Sequence, residues 1–309
     1  MKQFFLVVFG GLATIIGGLG VSYGAGWVWR HIDPITEGIR GSSLAAAAAA
    51  MVKPVDGTSI SGLKRVIRYT ASEEEDAINA AALSLPAAAD GRVTAKSYIV
   101  KNLTVGGVAI EHDADTVLPI ASVTKLVTAI VARKAIDSNE RVTITKEITA
   151  TYGNTAQFRT GETFLAKDLY YPLLMVSSND AAEALAQDYG RKQFIEAMNA
   201  FVQGIGAYRT YFADPSGLSP LNVSTANDLA LILDWIRKND PKIVELTMLK
   251  SKTVKGHTWV NPTHFLNWSN YAGGKNGYTT EANLTAASLF TLGARKNMYA
   301  VVLLGSQSR

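Results

Sequence analysis

Strand patterns stand at the two ends of one long stretch of this chain and helical patterns fill the space between them; that order restricts the fold more than any other feature. Residues 95–101 and 108–112 flank Gly106-Gly107, and because glycine supplies the positive φ of a tight reversal, the two runs predict a β-hairpin. Residues 284–292 and 298–304 are two further strand-like runs that close the sequence. In between, residues 122–136 place Leu126, Val127, Ile130 and Val131 at helical spacing, and further helices fit 166–175, 180–188, 192–201 and 225–238. The expected fold class is therefore mixed α/β of the α+β type. Its two ends meet in one antiparallel sheet flanked by helices, and its middle forms a mainly helical lobe.

The chain has 309 residues, 48% hydrophobic and 18% charged, enough for a full core in one large domain or two small ones. It contains no cysteine, which excludes a disulfide framework, a thiolate zinc site and a cysteine nucleophile. The net charge of +4 is spread along the chain without a long run of one sign, so a nucleic-acid groove is not expected.

Residues 4–29 contain no ionisable side chain except Tyr23. As a helix they would extend about 39 Å, more than the roughly 30 Å hydrocarbon core of a bilayer. The run is longer than the apolar part of a signal peptide and no clear small-residue cleavage site follows it, so residues 1–30 are expected to be a retained membrane anchor. Trp27 and Trp29 suit its interface. The small residues between Gly20 and Gly26 leave a cleaved signal peptide as the alternative. Residues 31–92, with the alanine tract 45–50 and Glu73-Glu74-Glu75-Asp76, read as an Ala/Ser-rich linker or stalk without a core of its own. The globular domain is expected over 93–309.

Ser122-Val123-Thr124-Lys125 sets a serine and a lysine three apart at the start of a helix, on one face. A serine hydroxyl becomes a nucleophile when a base takes its proton, and a partly desolvated lysine can be that base. Taken alone, Ser122 reads as a helix cap or a solvated helix face before it reads as a nucleophile, and Ser61-Gly62-Leu63-Lys64 repeats the spacing in the linker with no apolar helix behind it. Ser177-Ser178-Asn179 supplies hydroxyls and a carboxamide between two helices, where both residue types are also ordinary caps. Gly273-Gly274-Lys275-Asn276-Gly277-Tyr278-Thr279 offers a cation among glycines that admit a ligand to the backbone; by itself it reads as a turn before a strand.

In this order the three segments resemble the serine penicillin-binding enzymes, specifically the low-molecular-mass D-alanyl-D-alanine carboxypeptidase family, with its S-x-x-K, S-x-N and K-T-G motifs. The resemblance runs from about residue 93 to the end. It takes in Asn154-Thr155-Ala156, Ser177-Ser178-Asn179-Asp180-Ala181-Ala182 and above all Asp214-Pro215-Ser216-Gly217-Leu218-Ser219, followed by Ser224-Thr225-Ala226-Asn227-Asp228-Leu229. These last segments look like the carboxypeptidase branch, and no clear match to the β-lactamase Ω-loop glutamate is present.

The resemblance implies a β-lactamase/DD-peptidase-like fold and a serine carboxypeptidase that trims peptidoglycan stem peptides ending in D-Ala-D-Ala, with β-lactams as covalent inhibitors and no cofactor. Ser122 would attack the carbonyl, with Lys125 as base. Ser177 would relay a proton to the leaving amine, and Asn179 would orient Lys125. Lys275, Asn276, Gly277 and Tyr278 would bind substrate, Lys275 attracting its carboxylate, and the backbone N–H groups of Ser122 and Tyr278 would form the oxyanion hole. Such a substrate lies outside the cytoplasmic membrane, so a single-pass anchor with the catalytic domain facing outward is expected.

The chain departs from the family in three places. The K-T-G threonine is Asn276, which is larger and lacks the hydroxyl. Asn283 stands where glycine usually follows Thr-x-x-Ala, so an altered strand is expected there. The sequence ends at Arg309 ahead of the helix that many relatives pack on the sheet, so a less covered sheet is expected. Two alternatives stay open: a DD-endopeptidase, and, motivated by Asn276, a stem-peptide-binding pseudo-enzyme. His31, His112, His257 and His264 show neither H-x-E nor H-x-x-x-H spacing, so a metallo-carboxypeptidase is not expected.

Overall fold

The computed structural model describes residues 93–307 apart from residue 294. The apolar run 4–29, His31 and the linker with its Ser61–Lys64 motif lie outside the described residues. No helix among the described residues is long and apolar enough to cross a membrane.

In chain order the elements are β1 (Ser97–Asn102), β2 (Val108–His112), β3 (Leu118–Pro119), a 3-10 turn (Ala121–Thr124), α1 (Lys125–Ala135), β4 (Arg141–Thr143), α2 (Lys146–Thr149), β5 (Thr163–Leu165), α3 (Ala166–Met175), α4 (Asn179–Tyr189) and α5 (Arg191–Gly204). After them come β6 (Val223–Ser224), α6 (Ala226–Asn239), α7 (Lys242–Thr247), β7 (Ser251–Val254), β8 (His257–Val260), a second 3-10 turn (His264–Asn267), β9 (Tyr271–Thr279), β10 (Asn283–Leu292) and β11 (Asn297–Ser306).

The main sheet has the order β2-β1-β11-β10-β9, antiparallel throughout. Ser97 pairs with Leu304 and Asn102 with Tyr299, so the two ends of the domain do meet in one sheet, as the order of patterns predicts. Helix α6 lies against β1, β10 and β11. Its Leu229, Ile232, Leu233 and Ile236 share one core with Ala287, Leu289, Ala300, Val302 and Leu304 of the strands. In the helical lobe α1 packs against α3, α4 and α5. It is buried without a break from Lys125 to Ala132, the pattern of a helix enclosed on all sides. Ser178 caps α4 by accepting from Ala181 N at 2.9 Å, and Thr225 caps α6 by accepting from Asp228 N at 3.0 Å. Each satisfies one of the free N–H groups at a helix start.

One sequence expectation changes. Residues 273–279 form part of a strand rather than a turn: β9 pairs with β10 from Thr279 against Asn283 to Gly274 against Ser288. The glycines there serve close approach, since a Cβ on Gly274 would lie 2.5 Å from Ala287 O. Asn283 has a φ of +53° yet still opens β10 opposite Thr279. Asparagine is among the few side chains that tolerate this left-handed conformation. The short pairs β3–β6, β4–β5 and β7–β8 fall below the length at which alternation can be read.

Ile232 is fully buried between α6 and the sheet. Ile232→Ala is expected to lower the unfolding free energy by about 2–5 kcal/mol, read from the denaturant midpoint at constant slope; a loss under about 1 kcal/mol would mean that the α6–sheet core closes over the gap.

Candidate active site

Ser122 is half-buried on the 3-10 turn that leads into α1. The residue before it, Ala121, has a φ of +47°, a strained value for a side chain with a Cβ. Neighbours hold that turn in place: Ile120 N donates to Asn222 O at 3.0 Å, and Thr285 Oγ1 of β10 donates to Ile120 O at 3.0 Å. The nucleophile candidate is thus tied to the main sheet and to the segment ahead of β6.

Lys125, one helical turn on, has no solvent exposure. Its Nζ lies 2.9 Å from Ser122 Oγ, and it donates to Asn179 Oδ1 at 2.7 Å and to Ser216 O at 2.5 Å. Burial holds the amine well below the ordinary lysine range, and the charge of Lys275 lowers it further, while Asp214 and Asp180 act in the opposite direction. A neutral amine has two hydrogens and one lone pair. Asn179 Oδ1 and Ser216 O can only accept, so they take the two hydrogens, and the lone pair is left facing the Ser122 hydroxyl. That is the arrangement a general base needs.

Asn179 is oriented from both sides. Its Nδ2 donates to Tyr152 O at 2.8 Å, which turns Oδ1 toward Lys125, and the Ser178 cap fixes its place at the first residue of α4. Ser177 is half-buried at a φ of +60° and forms no hydrogen bond with the Ser122–Lys125 pair. Beside Asn179, Asp180 is fully buried and neither carboxylate oxygen has a hydrogen-bond partner among the described residues; burial pushes its pKa up to about 6.

Strand β9 supplies the other wall. Lys275 is buried, with Nζ donating to Asn276 O at 2.7 Å, and burial brings its pKa down to about 7. Thr247 of α7 accepts from Gly274 N at 3.0 Å and donates to Val244 O at 2.6 Å, fixing the backbone just ahead of Lys275. A Cβ on Gly277 would lie 2.6 Å from Ser122 N and 2.9 Å from Thr285 Oγ1, so only glycine lets the strand run this close to the Ser122 amide. Asn276 is half-buried and Tyr278 exposed. β9 is also an edge strand among the described residues, open to an extended peptide.

The structure therefore brings together Ser122, Lys125, Asn179, Lys275 and Gly277 from three distant segments, with Ser177, Asn276 and Tyr278 on their flanks. Sequence reasoning missed Thr285, Thr247 and the Ser216 carbonyl. The first two carry no motif. The third belongs to Asp214–Ser219, whose cluster of short polar residues signals a side-chain-organised turn but not its target.

The sequence profile described as D-alanyl-D-alanine carboxypeptidase, Peptidase_S11, matches residues 84–306. A D-alanyl-D-alanine endopeptidase of Escherichia coli (strain K12) is 36% identical over 190 residues, 59% of this chain and 59% of that protein. The D-alanyl-D-alanine carboxypeptidase DacB2 of Mycobacterium tuberculosis is 31% identical over 217 residues, 67% of this chain and 74% of that protein. The crystal structure of a D-alanyl-D-alanine carboxypeptidase from Mycobacterium tuberculosis H37Rv superposes with a TM-score of 0.65 at 30% identity, covering 70% of this chain and 84% of that one. The chain spans between 52% and 64% of the length of the three endopeptidase relatives it matches. With a penicillin-binding DD-peptidase fold and the three motif segments converging on one buried lysine, this chain belongs to the S11 peptidase family of D-alanyl-D-alanine carboxypeptidases.

Proposed function

We propose that this chain is a serine-type D-Ala-D-Ala carboxypeptidase that trims peptidoglycan stem peptides through an acyl-enzyme. The observation that carries this reading is the Lys125 amine, buried and donating to two acceptors while facing Ser122 Oγ at 2.9 Å. The Ser122 oxygen bonds to the carbonyl carbon between the two D-alanines as its proton passes to Lys125 Nζ. The C–N bond then breaks, and the leaving amine takes up a proton through Ser177. Water then bonds to the ester carbon as one of its protons passes to Lys125 Nζ, the bond to Ser122 Oγ breaks, and that proton is delivered to Oγ, freeing Ser122 and the trimmed peptide. Lys275 attracts the terminal carboxylate, and the N–H groups of Ser122 and Tyr278 receive the developing oxyanion, a type of contribution worth about 3 kcal/mol per donor.

A second reading, cleavage of cross-links between stem peptides, is favoured by the endopeptidase names of several relatives. Both readings share the acylation step and differ in product: free D-alanine in one case, separated dimers in the other. The same family supports β-lactams as covalent inhibitors. The apolar run 4–29 supports an anchor in the cytoplasmic membrane, with the linker and catalytic domain on the outer side.

Ser122→Ala is expected to abolish covalent labelling by a fluorescent penicillin, whereas Ser61→Ala keeps it. Equal labelling of wild type and Ser122→Ala would sink the assignment. The pH profile gives a second test. Lys275 binds a carboxylate as the cation, which is lost as pH rises through about 7 in the free enzyme, so kcat/KM for a D-Ala-D-Ala peptide should fall above that pH. On the acid side kcat/KM should fall as Lys125 gains its proton. Lys275→Gln should be slow and lack the alkaline fall; a wild-type profile that stays flat there removes Lys275 from carboxylate recognition. For placement, protease added to intact spheroplasts should release a penicillin-reactive fragment, and full protection until lysis would reverse the orientation.

A further inference from the structure

The segment ahead of β6 is organised by one buried carboxylate. Asp214 Oδ1 accepts from Ser216 N at 2.6 Å, Ser216 Oγ at 2.8 Å and Gly217 N at 2.7 Å, and Oδ2 accepts from Ser219 N at 2.6 Å. Four donors on one side chain leave the loop a single conformation. The loop is also clamped from outside. Thr128 Oγ1 of α1 donates to Pro215 O at 2.5 Å, and Asn222 Nδ2 donates to Asp214 O at 2.8 Å and to Thr124 Oγ1 at 3.1 Å. At its tip Gly217 lies on the peptide bond before the nucleophile: a Cβ there would stand 2.0 Å from Ala121 O and 3.0 Å from Ser122 N.

We propose that Asp214 is a positioning residue for proton abstraction from Ser122: its carboxylate fixes the Ser216 carbonyl on one hydrogen of the Lys125 amine and so aims the nitrogen's lone pair at Ser122 Oγ. The inference rests on the reading of Lys125 as the base and adds what directs it. Without the Ser216 acceptor, only Asn179 Oδ1 would fix the amine, which could then rotate about that one bond and point a hydrogen at the serine.

The charge of Asp214 has a second effect through the same geometry. The groups that act on Lys125 are the cation of Lys275 from β9 and the carboxylates of Asp180 from α4 and Asp214 from this loop. Asp214 itself also acts on Arg191 at the start of α5, which is paired with Glu183 at 2.8 Å. Burial and Lys275 weaken the base, and Asp214 opposes them. Removing the carboxylate should therefore both misaim Lys125 and lower its proton affinity, which moves the acid limb of acylation to lower pH.

The test is the rate of acylation of the full chain by a fluorescent penicillin as a function of pH, with thermal melts of each variant. Asp214→Asn is expected to slow plateau acylation about tenfold or more and to move the acid limb down by about half a pH unit. Ser216→Ala, which loses the hydroxyl contact but keeps the carbonyl and the charge, should leave the acid limb where it is. A folded Asp214→Asn with wild-type rate and limb overturns the proposal, as does an equal displacement of the limb in Ser216→Ala. Should Asp214→Asn fail to fold, the Thr128→Val/Ser216→Ala pair loosens the same loop at constant charge: acylation slowed about threefold or more at an unmoved limb supports the proposal, and a wild-type rate overturns it. Wild-type protein that takes no label at Ser122 defeats the peptidase reading instead, so the two failures are distinct.

Discussion

The amine of Lys125 is wholly enclosed by protein, and much of the architecture around it follows from that. Holding an ammonium there would cost several kcal/mol even after relaxation, so burial lowers the proton affinity of the amine well below the ordinary lysine range. In its neutral form the nitrogen must still place two hydrogens. The start of α4 provides one acceptor, Asn179 Oδ1, and the Asp214–Ser219 loop the other, Ser216 O. Under the proposed function, a burial that would otherwise destabilise the domain becomes the source of a base, because the two acceptors are held in place and the direction left over is the one that faces Ser122.

Part of the domain's strained backbone lies at this site, although Asp113, Gln157, Lys255 and Lys296 also adopt positive φ elsewhere. Ala121 and Ser177 adopt positive φ within two residues of Ser122 and Asn179, and Asn283 does so where β10 begins beside the end of β9. Such conformations persist only where surroundings over-determine them. Around Ala121 those surroundings are Thr285 on the sheet side and Asn222 on the loop side. The sheet thus acts as a jig for the turn that carries Ser122 as well as the framework for β9.

The sheet ends and the helical middle were legible because each depends on local periodicity, whereas the Ser122–Lys125 pair, whose spacing recurs at Ser61 and Lys64, stood out only through the order of the segments that follow it. Helix α1 could be read from Leu126, Val127, Ile130 and Val131 at helical spacing, although its burial on every side also encloses Lys125 and Thr128. Residues 273–279 were not legible as a strand, since glycines that admit a neighbouring backbone look the same in sequence as glycines that turn a chain. Ser216 was invisible for another reason. Its contribution is a main-chain carbonyl, identical in every residue, and what makes it specific is the carboxylate two positions earlier, which acts through the fold rather than through a motif.

Lys275 and Lys125 are coupled, and the coupling has a direction. The charge on Lys275 lowers the proton affinity of Lys125, which helps to empty the base before substrate arrives. Under the proposed function the substrate brings a carboxylate to Lys275. Two opposite charges a few ångströms apart at a dielectric constant near 20 attract by about 4 kcal/mol, and seen from Lys125 the pair is close to neutral. The repulsion that kept Lys125 unprotonated is then offset, and its affinity for a proton rises at the moment Ser122 must give one up. A base that is weak when alone and stronger when the anion is in place needs no moving part. It needs two buried amines near enough to sense each other's charge, and a loop stiff enough to keep one of them aimed.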